Sequence, residues 1–477
     1  MSFKIVFNAL GNLLIFIGIT MLAPLIVAIH YQEPLHSFII SIILTWIVGI
    51  TLSIKYKSDE EWKRKDGFAI VAIGWLVAAI FGAIPFLFEG ISPMNALFES
   101  MSGFTTTGAT ALSDIEAHTK SLLFWRSMTQ WIGGMGIIML FIAILPKLGV
   151  AGRQLFRAEA PGPTEDKIKP RIRDTAKTLW KVYVSFSVLL FALLYLAGMN
   201  FYDALVHTFT TMSCGGFSPH ATSIVAFNSP LIEWILIIFM FIAGANFALY
   251  YRMLYVNPNS LIKDDEYKFY ISLIFIATIL LTGILVIDMN IPFFDSVRYS
   301  AFQIISIVTT TGFASTDFNL WSYPSKMILL AVMFIGGCAG STAGGIKVVR
   351  IHLLLKYARR DVFKLLHPRA IRPIKFNEKI VPDEIMQAII SFILIYLLIF
   401  SLSSVLLSMM GLDLISAITA SIVTIGNIGP GFGIVGPMEN FSVVPLFGRL
   451  LLILNMWIGR LEVFTVIILF MPEFWKK

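Results

Sequence analysis

Four similar segments of this sequence carry residues that can bind a cation through uncharged oxygen atoms. The first is FESMSGFTTTGAT, Phe98 to Thr110, where three threonines and a glycine end an apolar stretch too short to cross a bilayer. The other three end in SCGGFS, TTTGFAS and NIGPGFG. A predicted helix N-cap precedes each apolar stretch: Asn95, Asp203, Asp295 and Asp413. Each segment is therefore predicted to be a half-crossing helix followed by an extended strand that contains glycine.

Backbone carbonyl groups are the predicted ligands. Irregular backbone at membrane depth is tolerated only where it is packed in protein or lines water. Four such segments that meet on one axis form rings of carbonyl oxygens that can replace the hydration shell of an ion. The partly negative C-terminal ends of the short helices favour a cation. The candidate ion-binding residues are Thr106, Thr107, Gly108, Cys214, Gly215, Gly216, Thr310, Thr311, Gly312, Ile428 and Gly429.

A second candidate site is the glycine-rich run FIGGCAGSTAGGIKVVR, Phe334 to Arg350. Its glycines disfavour a continuous helix, since each costs about 1 kcal/mol relative to Ala. One interpretation is a close helix-packing face, because three of the glycines have small-xxx-small spacing. The other is a flexible loop below the carbonyl rings that obstructs the path of the ion. The predicted gate residues are Gly336, Gly337, Gly340, Ser341, Thr342, Gly344 and Gly345, together with Arg460.

Two ionisable residues lie inside apolar segments, where charge is expensive and indicates function. Arg460 either pairs with Glu462 or loop carbonyls, or places a positive barrier on the ion path. Glu99 is predicted to be a buried hydrogen-bonding partner that supports the first ion-binding segment. Three other arginines, nearer the outer ends of their helices, are predicted to be anchors: Arg126, Arg298 and Arg449.

The elements that position these residues are membrane helices. The chain has 477 residues, of which 57% are hydrophobic and only 14% charged, and its mean hydropathy is +0.82. Apolar runs of about 20 residues, enough to cross about 30 Å of hydrocarbon, recur along the chain. The first, Ile5 to Ile29, is longer than the apolar part of a signal peptide. We therefore expect an integral membrane protein that crosses the bilayer ten times.

The net charge of +7 indicates orientation rather than binding of nucleic acid. Thirty of the 36 Lys and Arg residues lie in the two terminal tails or in segments 55–65, 147–181, 252–268 and 347–379. With ten crossings these segments all fall on one side, as the positive-inside rule requires of the cytoplasmic side. Both termini are therefore predicted to be cytoplasmic.

An internal repeat organises the crossings. A hairpin precedes four units, and each unit is a long apolar run, a short segment and a second long run. The predicted parts are 1–60 for the hairpin, 61–150, 151–258 and 259–375 for repeats one to three, and 376–477 for repeat four. The predicted pairs of crossings are 67–88 with 121–145, 178–198 with 231–254, 268–288 with 325–350, and 384–410 with 443–470. The expected fold is all-α, with the four repeats around a pseudo-fourfold pore.

Several other classes of protein lack support in the sequence. Cys214 and Cys338 have no CxxC or CxxH neighbour that would indicate a metal site. Lys347 stands between Ile346 and Val348, so the glycine-rich run is not a phosphate-binding P-loop. No HExxH or GxSxG motif and no paired His/Asp cluster is present. An enzyme is therefore not expected.

The four segments, the glycine-rich interruption in unit three and the arginine of the last helix resemble the Trk/Ktr/HKT superfamily of potassium transporters. The N-terminal hairpin and the length make the chain most similar to the prokaryotic TrkH branch. The resemblance implies that the first glycine of each segment lies at a selective constriction for K⁺, bound by backbone carbonyls. The matching residues are Gly108, Gly216 with Gly215 as the alternative, Gly312 and Gly429. Plant relatives that favour sodium carry Ser at the first of these positions.

The resemblance also implies partners. Family members are homodimers that sit in the plasma membrane on a cytosolic ring of TrkA-like nucleotide-binding regulatory subunits. This chain has no GxGxxG unit of its own, so it needs no cofactor and such control would come from a separate subunit. The basic segment RRDVFKLLHPRAIRPIK, Arg359 to Lys375, is either a docking surface for it or a solvated loop.

A sodium- or proton-coupled carrier with alternating access is the alternative function. Carriers of that class usually have inverted repeats and acidic residues at mid-membrane. The four repeats here have the same orientation, and only Glu99 and Glu462 are acidic at that depth. The sequence therefore favours a channel-like potassium transporter.

Overall fold

The computed structural model describes residues 1–58, 63–144 and 172–476. The predicted boundaries at 60 and 150, most of the basic segment 147–181, and Lys477 lie outside these ranges. The chain starts with a helical hairpin whose two arms are Phe3–Tyr31, bent near Met21, and His36–Lys55. Glycines let the arms approach closely, since a Cβ atom added to Gly11 would lie 2.7 Å from the carbonyl oxygen of Gly49.

Four units of similar helix order follow. Unit one consists of helices Arg64–Gly82, Ile84–Phe88, Pro93–Phe104 and Lys120–Ile144. Unit two consists of Ile172–Leu196, Phe201–Met212, Pro230–Ala243 and Phe247–Tyr255. Unit three consists of Asp265–Met289, Phe293–Val308, Tyr323–Met333 and Val348–Leu366. Unit four consists of Asp383–Met409, Leu414–Ile425, Leu446–Arg460 and Phe464–Ile467. We call Pro93–Phe104, Phe201–Met212, Phe293–Val308 and Leu414–Ile425 the four short helices.

Smaller elements connect the units. Helix Ser260–Lys263 precedes unit three, a two-stranded antiparallel hairpin of Lys375–Phe376 and Lys379–Ile380 precedes unit four, and helix Pro472–Trp475 is near the C-terminus. Short 3-10 helices are Ser223–Phe227, Phe318–Leu320, Gly433–Val435, Phe441–Val443 and Ile468–Phe470.

The long helices have the composition and exposure of membrane spans. Within the described residues, six helices are long and apolar enough to cross a bilayer, and two bent helix pairs pass the same test. Only 22% of the apolar window in Asp383–Met409 is buried in the protein. Such an apolar outer surface fits hydrocarbon rather than water. The prediction of an all-α integral membrane protein is confirmed.

The second crossings of units two, three and four are broken. The sequence predicts the break in unit three, which spans residues 334–347. The breaks in units two and four, within the predicted crossings 231–254 and 443–470, were not predicted from the sequence. Pro230–Ala243 and Phe247–Tyr255 are bent by 93°, and Leu446–Arg460 and Phe464–Phe470 by 111°. In unit two, Asn246 restarts the helix as an N-cap, because its side chain accepts from the amide of Ala248 at 2.9 Å.

The N-cap prediction for the short helices holds only in unit four. Asp413 caps its helix by accepting from the amide of Ser416 at 3.2 Å. Asn95, Asp203 and Asp295 instead lie inside the first turns of their helices. A single residue type before an apolar run therefore locates the helix start only to within about one turn.

The two chain ends meet at one end of the molecule. The amide of Ser2 donates to Asp66 at 2.7 Å, and the Lys65 ammonium donates to the carbonyl oxygens of Glu473 and Lys476 at 3.1 and 2.8 Å. These contacts place the N-terminus, segment 63–66 and the C-terminal helix on the same side of the membrane helices.

Candidate functional site

The four short helices end in the same way. At each C-terminus an amide donates back five residues along the chain at 2.8 Å, which is the longer hydrogen bond of a Schellman motif. The four pairs are Thr107 to Ser102, Gly215 to Thr210, Thr311 to Ser306, and Ile428 to Val423. The chain therefore leaves each short helix through the same turn, although the four sequences differ.

Left-handed residues follow in the same register. The residue before each donor has a φ of 52 to 56°, and the glycine after it has a φ of 74 to 106°. The left-handed residues are Thr106, Cys214, Thr310 and Asn427. The glycines are Gly108, Gly216, Gly312 and Gly429. Threonine rarely adopts this conformation, and such strain is concentrated at functional sites.

This register settles the choice between the two glycines of unit two. Gly216 is equivalent to Gly108, whereas Gly215 occupies the position of Thr107. Sequence analysis also missed Asn427, which is equivalent to Thr106. Its side-chain amide donates to the Thr107 hydroxyl at 2.9 Å and so joins unit four to unit one.

The segments close into a ring. A Cβ atom added to any of the four glycines would come within 2.8 Å of a carbonyl oxygen in the next unit. The contacts are Gly108 with Gly215, Gly216 with Thr311, Gly312 with Ile428, and Gly429 with Thr107. Units one to four are thus joined in order, and unit four returns to unit one. We call these four glycines the ring glycines and the carbonyl groups of Thr107, Gly215, Thr311 and Ile428 the ring carbonyls.

A cavity opens on one side of the ring. All four ring glycines line it, together with residues that follow them in the chain, including Phe217, His220 and Glu439. In the described part of the chain, no three His, Cys, Asp or Glu side chains are close enough together to hold a metal ion.

His220, at the edge of this cavity, faces two carboxylates. Its Nε2 lies 3.2 Å from Asp203 Oδ2, and its Nδ1 lies 3.8 Å from Glu116 Oε1. The hydrogen bond with Asp203 raises the pKa of His220 above its ordinary value of 6.5. The contact of His220 with Asp203 joins the loop after the ring segment of unit two to the start of its short helix.

Glu99 forms hydrogen bonds to the extended segment that follows the ring glycine of unit one. Its Oε1 accepts from the Thr110 hydroxyl at 2.8 Å and from the Ala111 amide at 2.5 Å, and its Oε2 accepts from Arg126 at 2.7 Å. The Arg126 guanidinium also donates to the carbonyl oxygen of Ser218 at 3.0 Å. The fully buried carboxylate therefore connects units one and two.

Residues at the equivalent position of the next two units make similar contacts. His207 and Gln303, like Glu99, lie nine residues before their ring glycine. The ring of His207 lies 3.1 Å from the Ser218 hydroxyl, and the amide of Gln303 lies 3.5 Å from the hydroxyl of Ser315. Counting nine residues back from each glycine could have revealed them in the sequence.

The three arginines predicted as anchors are partners of protein groups. Arg126 is buried, with 2% of its side chain exposed, so its prediction as an outer anchor is wrong. Arg298 bridges Glu233 at 2.9 Å and Asp295 at 3.0 Å. Arg449 donates to the side chain of Asn95. Each of these arginines can lie inside a membrane protein because its charge is paired with an acidic or amide side chain.

Residues 334–347, which we call the intramembrane loop, lie against the opposite side of the ring from the cavity. The Thr342 hydroxyl lies 3.0 Å from the carbonyl oxygen of Met212 and 3.2 Å from the Cys214 sulfur. The amide of Gly344 donates to the Thr310 hydroxyl at 2.7 Å. The loop therefore contacts residues that precede the ring glycines in the chain. The cavity is lined by the ring glycines and by residues that follow them.

Glycines allow the loop backbone to approach this closely. A Cβ atom added to Gly344 would lie 2.6 Å from the carbonyl oxygen of Gly426, and one added to Gly337 would lie 2.6 Å from that of Gly244. Two others, Gly340 and Gly345, have a positive φ. The glycine-rich run therefore forms a compact loop rather than a helix-packing face.

Glu266 bonds to the intramembrane loop and to a residue just after it. Its Oε1 accepts from the amide of Ala339 in the loop at 2.7 Å and from that of Val349, just after the loop, at 3.1 Å. Its neighbour Asp265 accepts from the amide of Asn377 at 3.0 Å. The start of helix Asp265–Met289 thus links the loop to the strand hairpin that follows helix Val348–Leu366. Sequence analysis missed this carboxylate because it lies at a helix start, where acidic residues are common.

Arg460 bonds the loop from the last long helix. Its Nη1 donates to the carbonyl oxygen of Thr342 at 2.8 Å, and its Nη2 donates to that of Gly133 at 3.2 Å. Glu462 instead forms an ion pair with Arg350. Arg460 therefore bonds to a carbonyl group of the loop, one of the partners that the sequence left open.

Comparisons with known proteins agree with this geometry. The family model TrkH, described as a cation transport protein, matches residues 34–477. The Trk system potassium uptake protein TrkH of Escherichia coli strain K12 is 39% identical, and that of Halomonas elongata 37% identical, with 100% of each chain covered. The crystal structure of the potassium transporter TrkH from Vibrio parahaemolyticus matches with a TM-score of 0.90 and 36% identity over 100% of both chains. The resemblance predicted from the residues is confirmed, and the chain belongs to the TrkH family of cation transport proteins.

Proposed function

We propose that this chain is the ion-conducting subunit of a potassium uptake system and that K⁺ passes through the ring in a channel-like manner. The observation that carries the proposal is the closed ring, in which each unit contributes one carbonyl group and one glycine at equivalent positions. Uncharged carbonyl oxygens suit a weakly hydrated monovalent cation. The names of the relatives, which are potassium uptake proteins, support K⁺ as the ion.

Gly108 supports selectivity for potassium over sodium. It has a φ of 80° and packs against the carbonyl oxygen of Gly215, so a larger side chain would displace that oxygen. The resemblance associates Ser at this position with sodium preference, and this chain has Gly. We therefore assign the narrow point to the ring glycines.

The intramembrane loop is the proposed gate. It bonds to residues just before the ring on two units, and Arg460 and Glu266 hold it there. A loop in this position obstructs the ion path, and the positive charge of Arg460 adds an electrostatic barrier to a cation. Opening would require these hydrogen bonds to break together.

Control is assigned to a cytosolic TrkA-like nucleotide-binding subunit, with the chain itself as a homodimer. Support comes from the link between Glu266, which holds the loop, and Asp265, which holds the strand hairpin beside the basic segment Arg359 to Lys375. A partner that pulls on that hairpin can therefore act on the loop through one helix end. The ligand of the partner is left open.

The proposed location is the plasma membrane of a prokaryotic cell, with both termini in the cytoplasm. The positive-inside distribution supports this orientation. The contacts of Ser2 with Asp66 and of Lys65 with Lys476 support a common side for the termini.

The test is growth. A bacterium without its own potassium uptake systems should grow at low potassium when it expresses this chain with a TrkA-like subunit, and a Gly108→Ser variant should admit sodium. A chain that is present in the membrane but restores no growth would contradict the proposal. Unitary current steps in a bilayer would separate a channel from the alternative, an ion-coupled carrier.

A further inference from the structure

Gln130 is a buried glutamine in the middle of helix Lys120–Ile144, and its side chain contacts the ring directly. Its Nε2 donates to the ring carbonyl of Gly215 at 2.7 Å, and its Oε1 accepts from the amide of Phe217 at 3.1 Å. The side chain is fully buried. One amide group from unit one therefore spans the ring segment of unit two and fixes both sides of its ring glycine.

Gly215 is the residue that makes room for this contact. A Cβ atom added there would overlap the Cδ and Oε1 atoms of Gln130. The φ of Gly215 is not in the left-handed region, unlike that of Gly216. Glycine is thus required at position 215 for space rather than for backbone conformation, which explains why this ring segment carries two adjacent glycines.

The contact makes one ring carbonyl unlike the other three. Among the described residues, no side chain donates to the carbonyl groups of Thr107, Thr311 or Ile428. A carbonyl that accepts a hydrogen bond from a fixed amide is restricted in orientation, and part of its lone-pair density is engaged. Because selectivity depends on the number and field strength of the carbonyl dipoles around the ion, this bond acts on ion preference.

We propose that Gln130 is a positioning residue for selectivity, because it sets the orientation and strength of the Gly215 carbonyl in the ring. The inference rests on the proposed function, since it requires that K⁺ passes the ring. Without the amide, the Gly215 carbonyl is free to rotate and the ring adapts more readily to the smaller Na⁺. Substitution of Gln130 should then change the relative permeability of the ring to K⁺ and Na⁺. Substitution of a residue with only a structural role would change only the amount of folded protein.

The first test is the reversal potential of the purified chain, reconstituted with a TrkA-like subunit, in a planar bilayer with potassium on one side and sodium on the other. Gln130→Met keeps the length of the side chain but removes its donor and acceptor. We expect the potassium-to-sodium permeability ratio to fall about two- to tenfold, the range that corresponds to one hydrogen bond. The reversal potential does not depend on the amount of folded protein, so poor folding cannot imitate this result.

Ser127→Ala is the matched control. Ser127 is buried on the same helix, and its hydroxyl donates to the carbonyl oxygen of Leu123 within that helix at 3.0 Å. Its reversal potential should equal that of the wild type. An unchanged reversal potential for Gln130→Met, or an equal shift for Ser127→Ala, would overturn the inference while the proposed function stands. A wild-type chain without potassium preference would overturn both.

The second test is a double-mutant cycle. Gly215→Ala alone should reduce potassium selectivity strongly, because its Cβ atom displaces the Gln130 amide. In a Gln130→Ala background that space is open, so Gly215→Ala should add little further change. Additive effects of the two substitutions would show that they do not act through this contact and would contradict the assignment.

Discussion

Arg460→Ala should open the path without any regulatory subunit. In the structure the guanidinium of Arg460 donates a hydrogen bond to the intramembrane loop, from Nη1 to the carbonyl oxygen of Thr342 at 2.8 Å. Its Nη2 donates to the carbonyl oxygen of Gly133, which lies in helix Lys120–Ile144 rather than in the loop. The bond to Thr342 therefore contributes to the closed position of the loop.

The size of the expected shift toward the open loop follows from the charge of the hydrogen-bond donor. A hydrogen bond from a charged group contributes about 1.5 to 3 kcal/mol. Its loss should raise the ratio of open to closed loops by about 10- to 150-fold, since each 1.4 kcal/mol is a factor of ten. Removing the positive charge from the ion path acts in the same direction, because it lowers the barrier to a cation.

The assay is uptake of radioactive rubidium into liposomes that contain the purified chain alone. Arg449→Ala is the control, because Arg449 lies on the same helix but bonds the side chain of Asn95 away from the loop. Arg460→Lys keeps the positive charge and so separates the loss of the hydrogen bond from the loss of the charge. If the barrier is purely electrostatic, the flux of the Arg460→Lys variant equals that of the wild type. Flux of the Arg460→Ala variant at or below that of the wild type would refute the assignment of the loop as the gate.

Three further predictions concern the ring, the loop and the outer surface. Gly108→Ser should lower the potassium-to-sodium permeability ratio measured from reversal potentials, because the added side chain displaces the carbonyl oxygen of Gly215; an unchanged ratio would contradict the ring assignment. Thr342→Val keeps the shape of the side chain but removes its hydroxyl, and so removes one neutral hydrogen bond to the carbonyl oxygen of Met212. Rubidium flux into liposomes should therefore rise about two- to tenfold. Unchanged flux would mean that this hydroxyl does not hold the loop. The ion pair of His220 with Asp203 should stabilise the protein fully below pH 6.5, the ordinary pKa of histidine, and this contribution should be lost as pH rises through the raised pKa of the folded state. Thermal unfolding in detergent across that range should therefore show a loss of stability that His220→Asn abolishes, and an identical pH dependence in the variant would remove His220 as its cause.

The repeat could be predicted from the sequence because it is written in residues that backbone geometry restricts. Gly108 and Gly312 stand in nearly identical TTTG segments, and a glycine at a positive φ cannot be replaced without strain. An interruption at 334–347 was predictable for a similar reason, since the cost of several glycines disfavours a continuous helix, although a helix-packing face stayed open as the alternative. In both places the local sequence determines the local backbone.

The side-chain contacts across units could not be predicted, because they depend on which helices become neighbours. Gln130 and Asn427 look like ordinary polar residues in apolar surroundings, and only the packing brings each to the ring segment of another unit. The choice between Gly215 and Gly216 depended on the same packing. The partner of Arg460 was ambiguous because Glu462 is near in sequence, yet a bend of 111° after the helix directs Glu462 to Arg350 instead.

The central claim is that four carbonyl groups from four repeats form a ring that selects potassium. Single-channel recording of the purified chain with a TrkA-like subunit in a planar bilayer, with potassium chloride on one side and sodium chloride on the other, tests it most directly. Unitary current steps that reverse close to the potassium equilibrium potential are the predicted result. Currents that reverse near zero, or potassium flux without unitary steps in a preparation shown to be active, would contradict it.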